Sequence, residues 1–244
     1  MEKKNSISFT LTGRRALFTD PVSRMGGEKF TYQVPTYQAL KGVLESIYWK
    51  PTFVWIVDKV RIMKQIQSES QAVRPIDYGG GNTLSIYTYL SDVEYQVQAH
   101  FEWNENRPDM KDDQNENKHY FIAKRALEKG GRRDIFLGTR ECQGYVEPCC
   151  FGDGEGKYDK CEEIPMGFMF HGFTYPDEAV REEEKNKLTA RFFSPLMKQG
   201  VITFPRPEEC TVRRILTDRK PKEFSLERGN VSYAGGGELD ELAE

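Results

Sequence analysis

The chain has 244 residues, 38% of them hydrophobic and 30% charged, with a formal net charge of -3. That supports one full core, or one core with a small second layer, and it excludes a membrane span, because no run of eighteen apolar residues occurs. The slight net acidity weighs little against nucleic-acid binding, which depends on local patches. The acid is segregated at 102–116, at Asp177–Glu184 and at Glu238, Asp240, Glu241 and Glu244, and the remainder is basic.

The opening MEKKNSISFTLTG has no apolar h-region, so no signal peptide is expected. The five cysteines, Cys142, Cys149, Cys150, Cys161 and Cys210, form no CxxC pair and read as reduced thiols of a cytoplasmic protein.

Ile7, Phe9 and Leu11 alternate with polar residues and predict a first strand. Gly13-Arg14-Arg15 opens a loop running to Met25-Gly26-Gly27. Pro35 to Pro51 is the clearest helix: Thr36 is a plausible N-cap, and Tyr37, Leu40, Leu44, Ile47 and Tyr48 fall on one face. Phe53 to Met63 is rich in β-branched and aromatic residues and predicts strand two. Residues 64–93 read as a polar insertion carrying Gly79-Gly80-Gly81, which is neither GxGxxG nor a P-loop. Strict alternation of Tyr95, Val97, Ala99, Phe101 and Trp103 predicts strand three over 94–103.

After an acidic, Asn-rich loop at 104–116, Lys118 to Lys129 predicts a second helix, stopped by Gly130-Gly131, with a fourth strand near Phe136–Val146. The order is βαββαβ, the split βαβ of ferredoxin-like and RRM-like folds. Short strands near Met166–Tyr175, Ala190–Phe193, Val201–Phe204 and Val212–Leu216 predict a small antiparallel C-terminal sheet. The fold class is therefore α+β. Residues 1–150 form a ferredoxin-like domain, and 151–244 a β-sheet domain whose acidic tail, from Ser232, is expected to be mobile.

Among the three histidines, His100, His119 and His171, only His119 adjoins a lysine, and the pair stands where an acidic stretch gives way to a basic one. From Glu102 to Glu116 there are six acids and two bases; from Lys118 to Arg140 there are seven bases and two acids. With Asn117 as N-cap, Lys118 and His119 occupy a first turn whose unpaired amides suit an anion. The dipole and the lysine disfavour imidazolium, so a neutral His119 would be poised as a general base beside a phosphate. RNA fits, because its 2′-hydroxyl can attack its own phosphate without a metal or other cofactor. Basic contacts are expected from Arg14, Arg15, Lys124, Arg125, Arg132 and Arg133.

Plainer readings stand beside these. A lone histidine near a helix start is ordinarily solvated. Tyr48, near one edge of the apolar stripe, reads as a core aromatic. His171 packs or faces solvent on a strand, and His100 lies opposite the apolar phase of its strand. The acids at 109–116 look like a solvated face rather than magnesium ligands, and the cysteine spacing is poor for zinc.

VPTYQALKGVLESIYWKP, the Lys118-His119 pair and GRRDIFLGTRECQGYVEP resemble the Dvulg (subtype I-C) branch of the CRISPR-associated protein-five family, as does FTLTGRRALFTDPVSRMGGEKFTYQVPT. The resemblance implies an RRM-like domain with a β-sheet appendage. It implies a metal-independent endoribonuclease that cuts precursor CRISPR RNA at the base of a repeat hairpin. The product would stay bound while backbone and large subunits assemble a surveillance complex. It also implies a catalytic set of Tyr48, Lys118 and His119. His119 is favoured as base, Lys118 as stabiliser of the phosphorane and Tyr48 as positioner or acid, since a phenol titrates near pH ~10. A non-catalytic scaffold that binds the end of the CRISPR RNA is the alternative.

Overall fold

A computed structural model describes residues 4–21, 28–76, 79–81 and 83–220. The tail from Ser232 and the loop residues Met25-Gly26-Gly27 lie outside them. The elements are β1 (Ser6–Ala16), β2 (Lys29–Phe30), α1 (Tyr37–Ile47), β3 (Phe53–Ile62), β4 (Ser68–Val73), β5 (Ser85–Trp103), α2 (Glu116–Glu128), β6 (Ile135–Phe136) and β7 (Gln143–Pro148). They continue with β8 (Glu163–Pro165), β9 (Met169–Thr174), β10 (Lys187–Phe193), β11 (Leu196–Lys198), β12 (Val201–Thr203) and β13 (Val212–Asp218). The described residues make a mixed fold of two sheets and few helices.

The large sheet runs β6-β7-β1-β5-β3-β12-β11-β8, with β2 and β4 also on β5. Its centre is antiparallel: Phe9 faces Val97 on β5 and Pro148 on β7, and Trp55 faces Phe101. Period-two alternation sends Ile7, Phe9, Leu11, Phe53, Trp55, Val97, Ala99 and Phe101 into one buried core. The apolar stripe of α1, with Tyr37, Leu40, Val43, Leu44 and Ile47, joins Ala123 and Leu127 of α2 in that core.

Local signals explain the helix ends. The Thr36 hydroxyl accepts from the Ala39 N–H at 3.1 Å, as an N-cap should. Pro51 has no N–H to offer the Ile47 carbonyl, and Tyr48 is already extended at φ -159°. Helix α2 stops at Gly130 and Gly131, whose φ of 80° and 103° glycine adopts without a Cβ clash. Its N-cap is Asn115, whose side chain accepts from the Lys118 N–H at 3.0 Å, and not the expected Asn117.

Four further expectations change. Gly13-Arg14-Arg15 opens no loop but continues β1 to Ala16, Gly13 against Val93 and Arg15 against Ser91. The polar insertion at 64–93 contains β4 paired along the first half of β5, which begins at Ser85 rather than at 94. The fourth strand is a hairpin of β6 and β7. Val201–Thr203 does not join the C-terminal sheet; it pairs with β3, Ile202 against Val60, and extends the large sheet with β11 and β8. The separate sheet has three strands, β13-β10-β9. It docks on α1, where the His171 ring stacks on Tyr37 at 4.2 Å and the Phe173 N–H bonds Gln38 at 2.9 Å.

Candidate active site

Tyr48 sits at the C-cap of α1 and is held at three points. Its N–H bonds the Leu44 carbonyl at 2.9 Å, and its carbonyl accepts from the Trp55 indole at 2.7 Å. Its hydroxyl lies 2.8 Å from His119 Nδ1. The side chain is 1% exposed and that of His119 is 0% exposed, so the solvated reading of His119 is overturned. The imidazole sits among Phe53, Phe101 and Trp103, with ring centroids at 5.3, 6.3 and 5.9 Å.

His119 Nε2 lies 2.8 Å from the main-chain carbonyl of Asp113. A carbonyl only accepts, so Nε2 carries the hydrogen. In the neutral ring Nδ1 then accepts from the Tyr48 hydroxyl. The imidazole lone pair thus points at Tyr48 and not at solvent.

Asp113 closes the site from a short 3-10 helix, Pro108–Asp113, in the acidic loop. Its carboxylate forms an ion pair with Lys118 and accepts from the Thr52 hydroxyl at 2.8 Å. Those two donors hold the Asp113 carboxyl down to about 2. Burial raises the Tyr48 phenol, opposed by the Arg132 guanidinium, which stands 4.6 Å above its ring. The Arg132 and Arg133 N–H groups both bond the Ser46 carbonyl at 3.1 Å, which draws that turn onto the end of α1.

Tyr48, Lys118, His119 and Arg132 therefore converge, joined by Asp113, which charge counting had assigned to a solvated face. Composition hides Asp113; its signal is its position two residues before the α2 N-cap.

The family profile described as CRISPR-associated protein (Cas_Cas5) matches residues 6–205. The chain belongs to this family. It is 26% identical over 234 residues to the CRISPR pre-crRNA endoribonuclease Cas5d of Mannheimia succiniciproducens, covering 82% of this chain and 95% of that one. A protein of the same name from Thermus thermophilus is 26% identical over 213 residues, covering 79% and 88%. The crystal structure of a CRISPR-associated protein superposes with a TM-score of 0.72 at 40% identity, covering 86% of this chain and 96% of the other. A functionally uncharacterized protein from Streptococcus mutans gives 0.71 at 39% identity, with coverage of 86% and 96%.

Arg14 and Arg15 of this Cas5 chain lie apart from the site. Arg15 faces Ser91 on β5, twelve positions from Trp103 and so roughly 40 Å along the strand. It pairs with Glu69 and bonds Gln71 at 2.8 Å, while Arg14 is exposed. Lys124, Arg125 and Arg133 are exposed, and Lys124 lines an open groove of about 890 Å³ with Lys59, Tyr120 and Phe151.

His100 and His171 are both buried. His100 bonds Asp58 at 2.9 Å and Glu102 at 3.2 Å, while His171 bonds the Pro205 carbonyl at 3.0 Å. Among the described residues no three His, Cys, Asp or Glu side chains are grouped to hold a metal ion. No disulfide forms between the five cysteines, and no described helix is long and apolar enough to cross a membrane.

Proposed function

We propose that this chain is a metal-independent endoribonuclease that cuts precursor CRISPR RNA at the base of its repeat hairpin. One observation carries the chemistry: the Tyr48 hydroxyl donates to the lone pair of a buried His119 whose neighbour in sequence is an exposed lysine. The names of the two curated relatives support the substrate.

In this reading His119 is the base. Nε2 is occupied by the Asp113 carbonyl, so the 2′-hydroxyl proton reaches Nδ1 through Tyr48 Oη, the phenol giving up one proton as it takes another. The freed 2′-oxygen attacks the adjacent phosphorus and displaces the 5′-oxygen, which takes a proton from solvent water, and the imidazolium returns its proton to solvent through Tyr48. The products are a 2′,3′-cyclic phosphate and a 5′-hydroxyl end. Lys118 stabilises the charge that builds on the phosphorane. RNA reaches Tyr48 by displacing the Arg132 guanidinium from its ring.

The order β7-β1-β5-β3, with α1 following β1 and α2 following β5, supports a ferredoxin-like, RRM-like core of order 4-1-3-2. We place the catalytic and RNA-binding work in residues 1–150. The described residues of the second half, 151–220, form an appendage that contributes strands to both sheets. The processed RNA stays bound, and the chain serves as a subunit of the type I-C surveillance complex in the prokaryotic cytoplasm.

A second reading is a scaffold that binds the RNA end without cutting it. The burial of Tyr48 and His119, with every polar atom of the pair satisfied inside the protein, favours it. One experiment separates the two. Repeat-hairpin RNA is incubated with the protein in EDTA, beside the same RNA with a 2′-deoxy at the scissile nucleotide. The enzyme cuts the first and not the second. Cleavage of the deoxy substrate overturns the mechanism, and binding without cleavage of either leaves the scaffold.

A further inference from the structure

Asp113 has no part in the proton path or in charge stabilisation as described above, yet it touches three groups of the site. Its two halves do different things. The main-chain carbonyl accepts from His119 Nε2 at 2.8 Å and from the Asn115 N–H at 2.9 Å. The carboxylate pairs with Lys118 through Oδ1, accepts from Thr52 through Oδ2 at 2.8 Å, and holds Oδ2 at 3.4 Å from His119 Nε2. Thr52 is itself buried, and its carbonyl accepts from the Asn104 N–H at 3.0 Å, so the brace stands on fixed backbone.

Lys118 needs such a brace. Its side chain is 47% exposed, and a lysine on a helix surface samples many rotamers of a flexible four-carbon stem. The Asp113 side chain, 22% exposed, confines the ammonium on the Nε2 side of His119. An ammonium has three donors; one held by Asp113 leaves two for phosphate oxygens.

We infer that Asp113, braced by Thr52, is a positioning residue for RNA cleavage that acts through Lys118. The inference rests on the endoribonuclease reading above and adds a residue to it. Any substitution at 113 keeps the carbonyl, so the His119 tautomer survives and only the clamp is removed.

The test is single-turnover cleavage and RNA binding by full-length Asp113→Ala, Asp113→Asn, Lys118→Ala and the Asp113→Ala/Lys118→Ala double variant. Asp113→Ala is expected to lower the maximal rate roughly 10- to 100-fold, the scale of a misplaced group, with RNA affinity within about threefold. Asp113→Asn, whose one amide oxygen can still accept from Lys118 while its NH2 donates to the Thr52 hydroxyl, recovers part of that rate. In the Lys118→Ala background, Asp113→Ala has no further effect, because the two act as one unit.

Should Asp113→Ala fail to fold, Thr52→Val loosens the same clamp and carries the same test against Lys118→Ala. Multiplicative losses in the double variant overturn the inference, as does normal cleavage by Asp113→Ala beside a defective Lys118→Ala. Normal cleavage by Lys118→Ala removes the underlying reading as well, which the Asp113 result alone does not.

Discussion

Tyr48 and His119 stand 71 positions apart in the chain and meet Oη to Nδ1 at 2.8 Å. The bond orients both partners. The indole of Trp55 pins the tyrosine backbone, the Asp113 carbonyl fixes the imidazole tautomer, and the remaining lone pair faces the phenol. The Tyr48 hydroxyl has one acceptor in line, His119 Nδ1.

Tyr48→Phe keeps the ring and its stacking with Arg132 while removing that path. Cleavage is expected to fall by at least ~10²-fold with RNA binding intact. Stability falls by about 1–3 kcal/mol, because a buried imidazole nitrogen loses its donor. Single-turnover rates and urea melts of the two proteins check both effects; wild-type cleavage by Tyr48→Phe would leave Tyr48 a packing residue.

His119→Ala removes the proposed base and opens a hole among Phe53, Phe101 and Trp103. The protein is expected to lose about 2–4 kcal/mol of stability, still bind repeat RNA, and cut it ~10²- to 10⁴-fold more slowly. Added imidazole, small enough for the hole, should restore part of the rate. Loss of binding together with cleavage would assign His119 to structure.

His171 gives the fold an acid-side weakness. Burial, with Arg191 adding to it, lowers its pKa from 6.5 to about 3. The unfolded chain therefore takes up a proton that the folded chain refuses. Stability from this group is complete above pH ~6.5 and is lost steadily as pH falls toward 3. Asp113, lowered to about 2, adds a loss that begins only below pH ~3.8. Melting temperatures from pH 7 to 4 should fall for the wild type, and fall less for His171→Gln; parallel curves would contradict the assignment.

Binding should weaken as salt rises, since exposed Arg14, Lys124, Arg125, Arg132 and Arg133 would release counterions from RNA. Arg15, paired with Glu69, should contribute least. Affinity titrations of single alanine variants across a salt series give one slope each. A slope unchanged by removing Arg132, the residue above Tyr48, would place the RNA elsewhere.

The elements legible in advance are those whose signal is local. Thr36 caps α1 as expected, the β-branched and aromatic run from Phe53 forms a strand, 94–103 follows its own alternation, and Gly130-Gly131 ends α2. Strand β4 escaped because SESQAV has little buried surface and so no alternation to read. Val201–Thr203 was legible as a strand but not as a neighbour of β3, because a strand's sequence does not name its partner. Asn115 and Asn117 are equally good caps by residue type, and backbone geometry chose the first.

The sequence by itself determined that Lys118 and His119 stand at the head of α2 and that Tyr48 belongs to the apolar stripe of the first helix. Only the tertiary structure decided that these two helix ends meet. It also decided that His119 is buried rather than solvated, and that an acid of the preceding loop holds the lysine. The reason is physical: helix and strand follow from residues within a few positions of one another, whereas the Tyr48–His119 contact depends on the order and register of strands that lie between them in the chain.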